Sequence, residues 1–332
     1  MGSSDTVSAR RLGTAGPVVF PLGLGCMSMS GMYGPADEGE SIATIHAALD
    51  AGINLLDTGD FYGAGHNELL IGRALADRRD RALLSVKFGA LRTPQGMWSG
   101  VDTRPAAIKN FLTYTLTRLR TDHVDIYRPS RLDPAVPIED TVGTIADLVK
   151  AGYVRGIGLS EVGVDTIERA RAVHPIADLQ IEYSLISRGP EARIFPRLEE
   201  LGIGATVYGV LSRGLLSGTR PSAPTDFRAR LPRFSGENRD RNQTVIETLG
   251  RLAAEKSVTP AQLATAWVLA KRGTIVPLVG ARTRAQLDES LGALKVRLEP
   301  EDLSRIEAAM PPAHGTRYDE HQMRMLDSEV GS

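Results

Sequence analysis

The stretch Gly52-Ile53-Asn54-Leu55-Leu56-Asp57-Thr58-Gly59-Asp60-Phe61-Tyr62-Gly63 decides how the rest of the chain is read. Its first half is a brief apolar run bounded by turn residues, the pattern of a buried strand. The run ends in a carboxylate, Asp57, and hands over to a glycine-bearing loop that carries a phenol, Tyr62. The next apolar run, Ala82-Leu83-Leu84-Ser85-Val86-Lys87, ends in an amine. An acid, a phenol and an amine at successive strand ends converge only if the fold brings those ends to one place. The surrounding sequence therefore has to supply a parallel arrangement.

It does so on both sides. Val7 to Arg11 and Gly16 to Phe20 flank Gly13-Thr14-Ala15-Gly16 and predict a short N-terminal β-hairpin, followed by a first strand over 20–27. Helical spacing of apolar residues predicts helices over 37–51, 67–76 and 104–120, the last with Pro105 in its first turn. A further helix opens at Pro137 and stops at Gly152, and others cover 164–172, 191–201, 241–256 and 260–271. Between them lie apolar runs ending at Arg128, Glu161, Tyr183, Tyr208 and Gly280. Thr259-x-x-Gln262 and Thr283-x-x-Gln286 read as capping boxes, and a final helix is expected over 301–310. Leu91 to Thr103 reads as a polar loop, Ser217 to Arg239 as a long irregular one, functional or disordered. Eight apolar runs alternating with helices predict a (β/α)8 TIM barrel with extended loops at its C-terminal mouth. The whole chain, 1–332, is read as one domain with a core over about 11–311 and flexible tails. A doubly wound sheet is the alternative, but the Gly23-x-Gly25 pair lacks the third glycine of a dinucleotide fingerprint, since Ser28 stands there.

Composition narrows the partners. A net charge of -1 and a pI near 6.6 give no electrostatic case for nucleic acid or an anionic membrane. Cys26 is the only cysteine, which excludes disulfides within the chain and cysteine metal sites, and a reducing, cytoplasmic location is expected. The histidines show no ligand spacing, so no metal is expected. No apolar run reaches the ~18 residues of a membrane helix, and the first residues lack a signal-peptide core. Met1-Gly2 with Thr6 formally fits a myristoylation pattern, which an ordinary tail explains better. Nothing in the surface composition fixes an oligomeric state.

The trio itself suggests a reaction. A free tyrosine has a pKa near 10; a neighbouring ammonium favours its phenolate, so Lys87 makes Tyr62 a better proton donor, and Asp57 holds Lys87 charged. Such a trio suits protonation of a carbonyl oxygen while something attacks the carbon. Hydride is the natural attacker, because the chain has no Ser-His pair, HExxH, CxxC or Walker loop. A Schiff-base role for Lys87 is a rival.

Here the residues resemble the aldo-keto reductases, from about Arg11 to Pro311. The 52–63 stretch is similar to that family's signature, and Val86-Lys87-Phe88-Gly89, Gly158-Leu159-Ser160-Glu161, Leu179-Gln180-Ile181-Glu182-Tyr183-Ser184 and Val207-Tyr208-Gly209 follow in order. The resemblance implies a (β/α)8 barrel that reduces aldehydes and ketones with NADPH. By that resemblance Tyr62 is the general acid, Lys87 tunes it and Asp57 supports Lys87. Ser160 and Gln180 would meet the nicotinamide carboxamide, and Tyr208 would stack on the ring. The loop Leu211, Arg213, Gly214, Leu216 would hold the pyrophosphate, and Gly280, Arg282, Gln286 and Glu289 the adenosine and 2′-phosphate. Ser290, where many members have asparagine, would make a weaker adenine contact. Gly25, Cys26, Met27, Glu161 and Gly209 complete the expected cofactor surface. A capped helix start carrying Arg282 and Arg284 is independently a ready anion site, and Arg282 favours NADPH over NADH.

One departure stands out. Many members place a carbonyl-orienting histidine where this chain has Ser130, in Arg128-Pro129-Ser130-Arg131. Ser130 is expected to act through a held water and to leave room for a bulky ketone. Met29, Tyr33, Phe61, Phe88 and Trp98 are expected either to line the substrate pocket or simply to pack. Cys26 reads as a small hydrophobe rather than a redox switch. Arg228, Arg230 and Arg233 read as a solvated lid surface in preference to phosphate ligands. The expected partner is a small carbonyl substrate; a cofactor-sensing regulatory protein is the rival function.

Overall fold

The computed structural model describes residues 8–221 and 226–329. The myristoylation pattern at Met1, Gly2 and Thr6, and Val7 of the hairpin, lie outside the described residues. Eight parallel strands close into a barrel in sequence order: β1 (Gly23–Gly25), β2 (Leu55–Gly59), β3 (Leu83–Phe88), β4 (Val124–Pro129), β5 (Val154–Ser160), β6 (Ile176–Glu182), β7 (Gly204–Tyr208) and β8 (Ile275–Gly280). The doubly wound alternative is thereby excluded. Each strand pairs with its sequence neighbour, as in Gly59↔Lys87 between β2 and β3, and Lys87↔Arg128 between β3 and β4.

Helices follow the strands: α1 (Glu38–Asp50), α2 (His66–Ala74), α3 (Pro105–Leu119), α4 (Ile138–Lys150), α5 (Val164–Val173), α6 (Ile194–Leu201), then α7 (Gln243–Glu255), α8 (Pro260–Lys271), α9 (Arg284–Gly292) and α10 (Pro300–Ala309). Asp37 caps α1 through the Glu40 amide, and Thr259 with Gln262 forms the expected capping box on α8. At α9 only half the box forms. Thr283 accepts from the Gln286 amide, while the Gln286 side chain accepts from the Arg282 amide instead.

Two apolar layers hold the barrel. Outward-facing strand residues such as Leu56, Leu84, Tyr127 and Val207 join the helices in a large shell. A smaller cluster fills the floor of the barrel, where Leu55, Ile126, Val276 and Leu278 meet Leu12 and Val19. Those last two belong to the N-terminal hairpin, whose Arg10–Arg11 pairs antiparallel with Val18–Val19 and plugs the bottom. Above the floor the inward positions become polar. The period of two along each strand carries this switch: Leu55 is followed inward by Asp57, and Ile126 by Arg128.

Three expectations need correction. Residues 91–103 are not a plain loop: Ala90–Arg92 and Trp98–Val101 form a two-stranded hairpin on the rim. The 217–239 segment is ordered in its described part into turns at Phe227–Arg230 and Pro232–Phe234 and a short helix, Gly236–Arg241. And residues 311–329, expected as a flexible tail, pack across the mouth, with a short helix at Glu320–Arg324.

Candidate active site

The polar layers at the C-terminal ends of the strands form one connected network. Lys87 on β3 donates to Asp57 Oδ1 on β2, and both side chains are only 6% exposed. The other carboxylate oxygen, Asp57 Oδ2, accepts from Ser85 Oγ at 2.9 Å and from Gln180 Nε2 at 2.7 Å. Ser85 in turn accepts from Arg128 Nη2 at 2.9 Å. Arg128 is fully buried in the barrel and pairs with Asp178 at 3.0 Å, and Thr206 Oγ1 donates to the same Asp178 oxygen at 2.5 Å. Two ion pairs thus share the barrel interior. Space for the second comes from Gly158 on β5, where an added Cβ would lie 2.8 Å from Asp178 Oδ1 and 3.0 Å from Arg128 Cζ.

Tyr62 follows β2 in a tight turn and is buried to 7% exposure. The Lys87 ammonium lies 5.2 Å from its ring centroid. Burial, with the Asp57 charge second, holds the Tyr62 phenol well above its ordinary range, while Arg131 pulls the other way. This differs from the expectation that Lys87 makes the phenol more acidic. Desolvation and the Asp57 charge outweigh the pull of Arg131 here, so the phenol rests in its neutral, proton-bearing form. Lys87 itself is pushed down by burial and by the nearby charges of Arg128 and Arg131, against the opposing pull of Asp57.

Other expected residues also reach this mouth. Ser130 and Ser160 are both 1% exposed, and their hydroxyls have no hydrogen-bond partner among the described residues. Gln180 lies beside Asp57. Phe61 meets the Tyr62 ring edge-on at 4.8 Å. Tyr33 lies under the Arg228 guanidinium, and its phenol is pushed up to about 12 by burial. Trp98 stands half-buried on the rim hairpin, paired in register with Arg92. Arg282 donates to the Tyr33 and Gly34 carbonyls and touches no carboxylate among the described residues, whereas Arg284 is spent on Glu40. Gln286 and Glu289 are exposed on α9 nearby, and an added Cβ at Gly280 would meet nothing within 4 Å. Gly25 and Met27 border the same side, at the end of β1.

Some expected residues are placed elsewhere. Phe88 neighbours Lys87 on the same strand and so points the opposite way, stacking on Tyr127 at 4.2 Å in the helix-facing shell. Met29 lies in the same shell, in the single turn Met27–Ser30 packed on α2. Neither lines the mouth. Cys26 and Leu216 also bury their side chains in that shell. The Cys26 amide donates to Asp57 O and its carbonyl accepts from Asn67 Nδ2, so it offers no polar group to a ligand. Its thiol is pushed well up by burial, which fits the small-hydrophobe reading. Ser290 spends its hydroxyl on the Gln286 carbonyl. The loop after Gly209 closes largely on itself: Gly214 and Leu216 both donate to Leu211 O, and the Arg213 side chain pairs with Glu182 at 2.9 Å. Arg228 and Arg233 are buried, not a solvated lid: Arg228 pairs with Asp226 at 2.7 Å, and Arg233 donates to Ser187 and Ser212. Arg230 alone of the three is exposed.

Glu161 is the largest surprise. It was expected at the cofactor, but it is fully buried with positive φ (53°), and it anchors the C-terminal segment. Arg317 grips it through both guanidinium Nη atoms at 2.9 and 2.7 Å, Ser328 donates at 2.8 Å, and the Tyr208 hydroxyl donates at 2.7 Å. Tyr318 follows, its hydroxyl 3.0 Å from that of Tyr208 and its ring 4.5 Å from the Arg213 guanidinium. Arg317 and Tyr318 were missed because the tail has no periodicity. Arg128 and Asp178 left a signal: each precedes an expected site residue, Ser130 or Gln180, by the two positions that keep a side chain inward.

For a dinucleotide the fit is mixed. The two orphan serine hydroxyls, Gln180 and Arg282, which is held by two backbone carbonyls and by no carboxylate among the described residues, suit nicotinamide at the centre and phosphate at the edge. The 211–216 loop, by contrast, spends the Gly214 and Leu216 amides on Leu211 O and the Arg213 side chain on Glu182.

Comparison with known proteins gives the following. The sequence profile described as "Aldo/keto reductase family" matches residues 21–311. A protein of Glycine max named "Probable aldo-keto reductase 1" is 42% identical over 316 residues, spanning 93% of this chain and 91% of its own length. Among solved structures, a glycerol dehydrogenase of Gluconobacter oxydans superposes with a TM-score of 0.82 at 27% identity, covering 92% of this chain and 95% of its own. An aldo-keto reductase of Bacillus halodurans, solved in a holo form, gives 0.77 at 29% identity, covering 95% and 99%.

Proposed function

Because the chain belongs to the aldo/keto reductase family, we propose that it reduces an aldehyde or ketone to the alcohol with NADPH, Tyr62 supplying the proton. The observation that carries this reading is the buried contact of Lys87 with Asp57, with the neutral Tyr62 phenol beside the ammonium. When bound, NADPH supplies the hydride to the carbonyl carbon and is itself oxidised to NADP+. The residues do the rest. As the carbonyl π pair moves onto oxygen, Tyr62 gives its proton there, and the Lys87 ammonium stabilises the tyrosinate left behind. Asp57 keeps that ammonium in place, and its own second oxygen is fixed by Ser85 and Gln180. Lys87, with its lowered proton affinity, is suited to return a proton to Tyr62.

Ser160 and Gln180 would meet the nicotinamide carboxamide, with Arg282 at the 2′-phosphate, which favours NADPH over NADH. Tyr208 would border the ring, although its hydroxyl is tied to Glu161. The small Ser130 side chain leaves room for a bulky ketone. No helix among the described residues is long and apolar enough to cross a membrane. We place the activity in the cytoplasm, in keeping with a lone reduced cysteine.

The test is oxidation of NADPH, followed by its absorbance, against a panel of aldehydes and bulky ketones. Tyr62→Phe should lower turnover by roughly 10²–10⁴-fold while NADPH still binds. The rival reading, a cofactor-sensing regulator, draws on the covered mouth and on serine at position 130. Tight NADPH binding without Tyr62-dependent turnover of any panel member would favour it.

A further inference from the structure

The mouth holds more positive charge than the reaction described above uses. Arg213 is paired with Glu182, Arg228 with Asp226 and Arg317 with Glu161. Arg92 and Arg131 are left over, and neither contacts a carboxylate among the described residues. Arg131 follows Ser130 directly. Its guanidinium donates to the Ser130 carbonyl at 2.6 Å and to the Tyr318 hydroxyl at 3.4 Å. The acid that acts on it, Glu161, already has both oxygens engaged by Arg317. Arg92, on the rim hairpin after β3, lies 5.7 Å over the Phe61 ring and donates to the Gly96 carbonyl. Its Nε is buried and has no partner among the described residues.

Both cations act on Tyr62. Arg131 pulls its phenol down, and Tyr62 in turn raises Arg92, whose guanidinium burial pushes down. They come from the loops after the adjacent strands β3 and β4. In the ring of eight, β7 and β8, which carry the expected phosphate-binding loops, lie on the other side. The cofactor's phosphates therefore do not account for them.

Arg92 Nε is a buried donor without a partner among the described residues, and the half-buried Arg131 has no carboxylate of its own; a carboxylate that arrives with the substrate would supply both with charge-assisted hydrogen bonds. From this we propose that the substrate is an aldehyde or ketone that itself carries a carboxylate. Arg131, assisted by Arg92, holds that carboxylate while Tyr62 faces the carbonyl oxygen. This rests on the reductase reading and names the substrate class of the same site.

The experiment uses the full chain with saturating NADPH and a matched pair of probes, benzaldehyde and para-carboxybenzaldehyde. The readout is the ratio of their kcat/KM values, which cancels effects common to both. The parent protein should favour the carboxylate by roughly ten- to a hundredfold. Arg131→Met should bring the ratio near unity, Arg131→Lys should leave it intermediate, and Arg92→Met should reduce it partly. A parent ratio at or below unity overturns the proposal, and this needs no variant to fold. So does an Arg131→Met protein that loses both activities by one factor, or one whose KM for NADPH rises while the ratio is kept. Failure of the reductase reading looks different: neither aldehyde would show Tyr62-dependent turnover.

Discussion

The Arg128 guanidinium donates to the Ser85 hydroxyl at 2.9 Å, and this bond, with a longer route through Gln180 and Thr206, joins two ion pairs inside the barrel. Ser85 passes the contact on to Asp57, so the acid that holds Lys87 is positioned in part by a cation on the next strand but one. Removing Arg128 would leave Asp178 fully buried without its cation, so Arg128→Met is expected to cost about 3–5 kcal/mol of stability. The double variant Arg128→Met with Asp178→Leu should be nearer the parent than Arg128→Met alone. Urea unfolding of the variants measures both; equal losses in single and double variants would contradict it.

The same pair depends on a missing side chain. Gly158→Ala would set a methyl 2.8 Å from Asp178 Oδ1 and 2.9 Å from Ile126 Cγ2, with backbone-tethered groups on both sides. We expect a loss of about 1–3 kcal/mol from overpacking. A melting temperature equal to the parent's would show that the interior relaxes more easily than its packing implies.

The pH dependence of reduction should report Lys87. Its proton affinity is lowered, by burial first, while Tyr62 is held well above its ordinary range. The proton-donating form needs both groups protonated, so activity falls as pH rises through the lower of the two values. The alkaline limb of kcat/KM is therefore expected below the ordinary lysine value of about 10.4. A limb above that value would assign it to Tyr62 instead.

Asp60 gives an independent stability test. Its carboxyl is pushed up from 3.8 to about 7, by burial first and the Glu68 charge second, and one oxygen has no partner among the described residues. A folded-state value above the unfolded one favours folding while the group is protonated. That contribution is complete below pH 3.8 and is lost as pH rises through about 7. Asp60→Asn should thus be more stable than the parent at pH 8, by about 2 kcal/mol, with the difference vanishing near pH 4. A constant difference across that range would exclude a protonation effect.

Glu161 behaves in the opposite sense. Burial pushes its carboxyl up, but Arg317, Arg131 and the Tyr208 hydroxyl together hold it down from 4.5 to about 2. Its stabilising share is present above pH 4.5 and is lost as pH falls toward 2. Arg317→Met leaves this carboxylate buried without its main partner and should cost about 3 kcal/mol at neutral pH, less in acid. It should also expose the 311–329 segment to limited proteolysis, which an unaltered cleavage pattern would refute.

The barrel was legible because its strands are short apolar runs between strong turn signals, and the Asp57, Tyr62, Lys87 grouping followed from where those runs end. The rim hairpin at 90–101 was not, because Arg92, Thr93, Gln95 and its glycines show no apolar alternation. Phe88 was misplaced for a different reason: once Lys87 faces inward, its strand neighbour must face out, and period two already contains that answer. The Arg317 contact with Glu161 joins residues 156 apart in sequence. Such a pairing of two charges leaves no local pattern, so the tail could be read only in three dimensions.

The closure of the mouth by residues 311–329 separates what walls the site from what builds the barrel. The barrel strands end at Gly280, so no strand of the ring comes from the segment that carries Arg317 and Tyr318. A chain truncated near Pro311 would keep every barrel strand and its hydrophobic shell yet lose one wall of its own mouth. Variation at positions of this short segment other than Arg317, whose grip on the buried Glu161 supports the fold, can therefore remodel what the protein admits while leaving the ring of strands as it is.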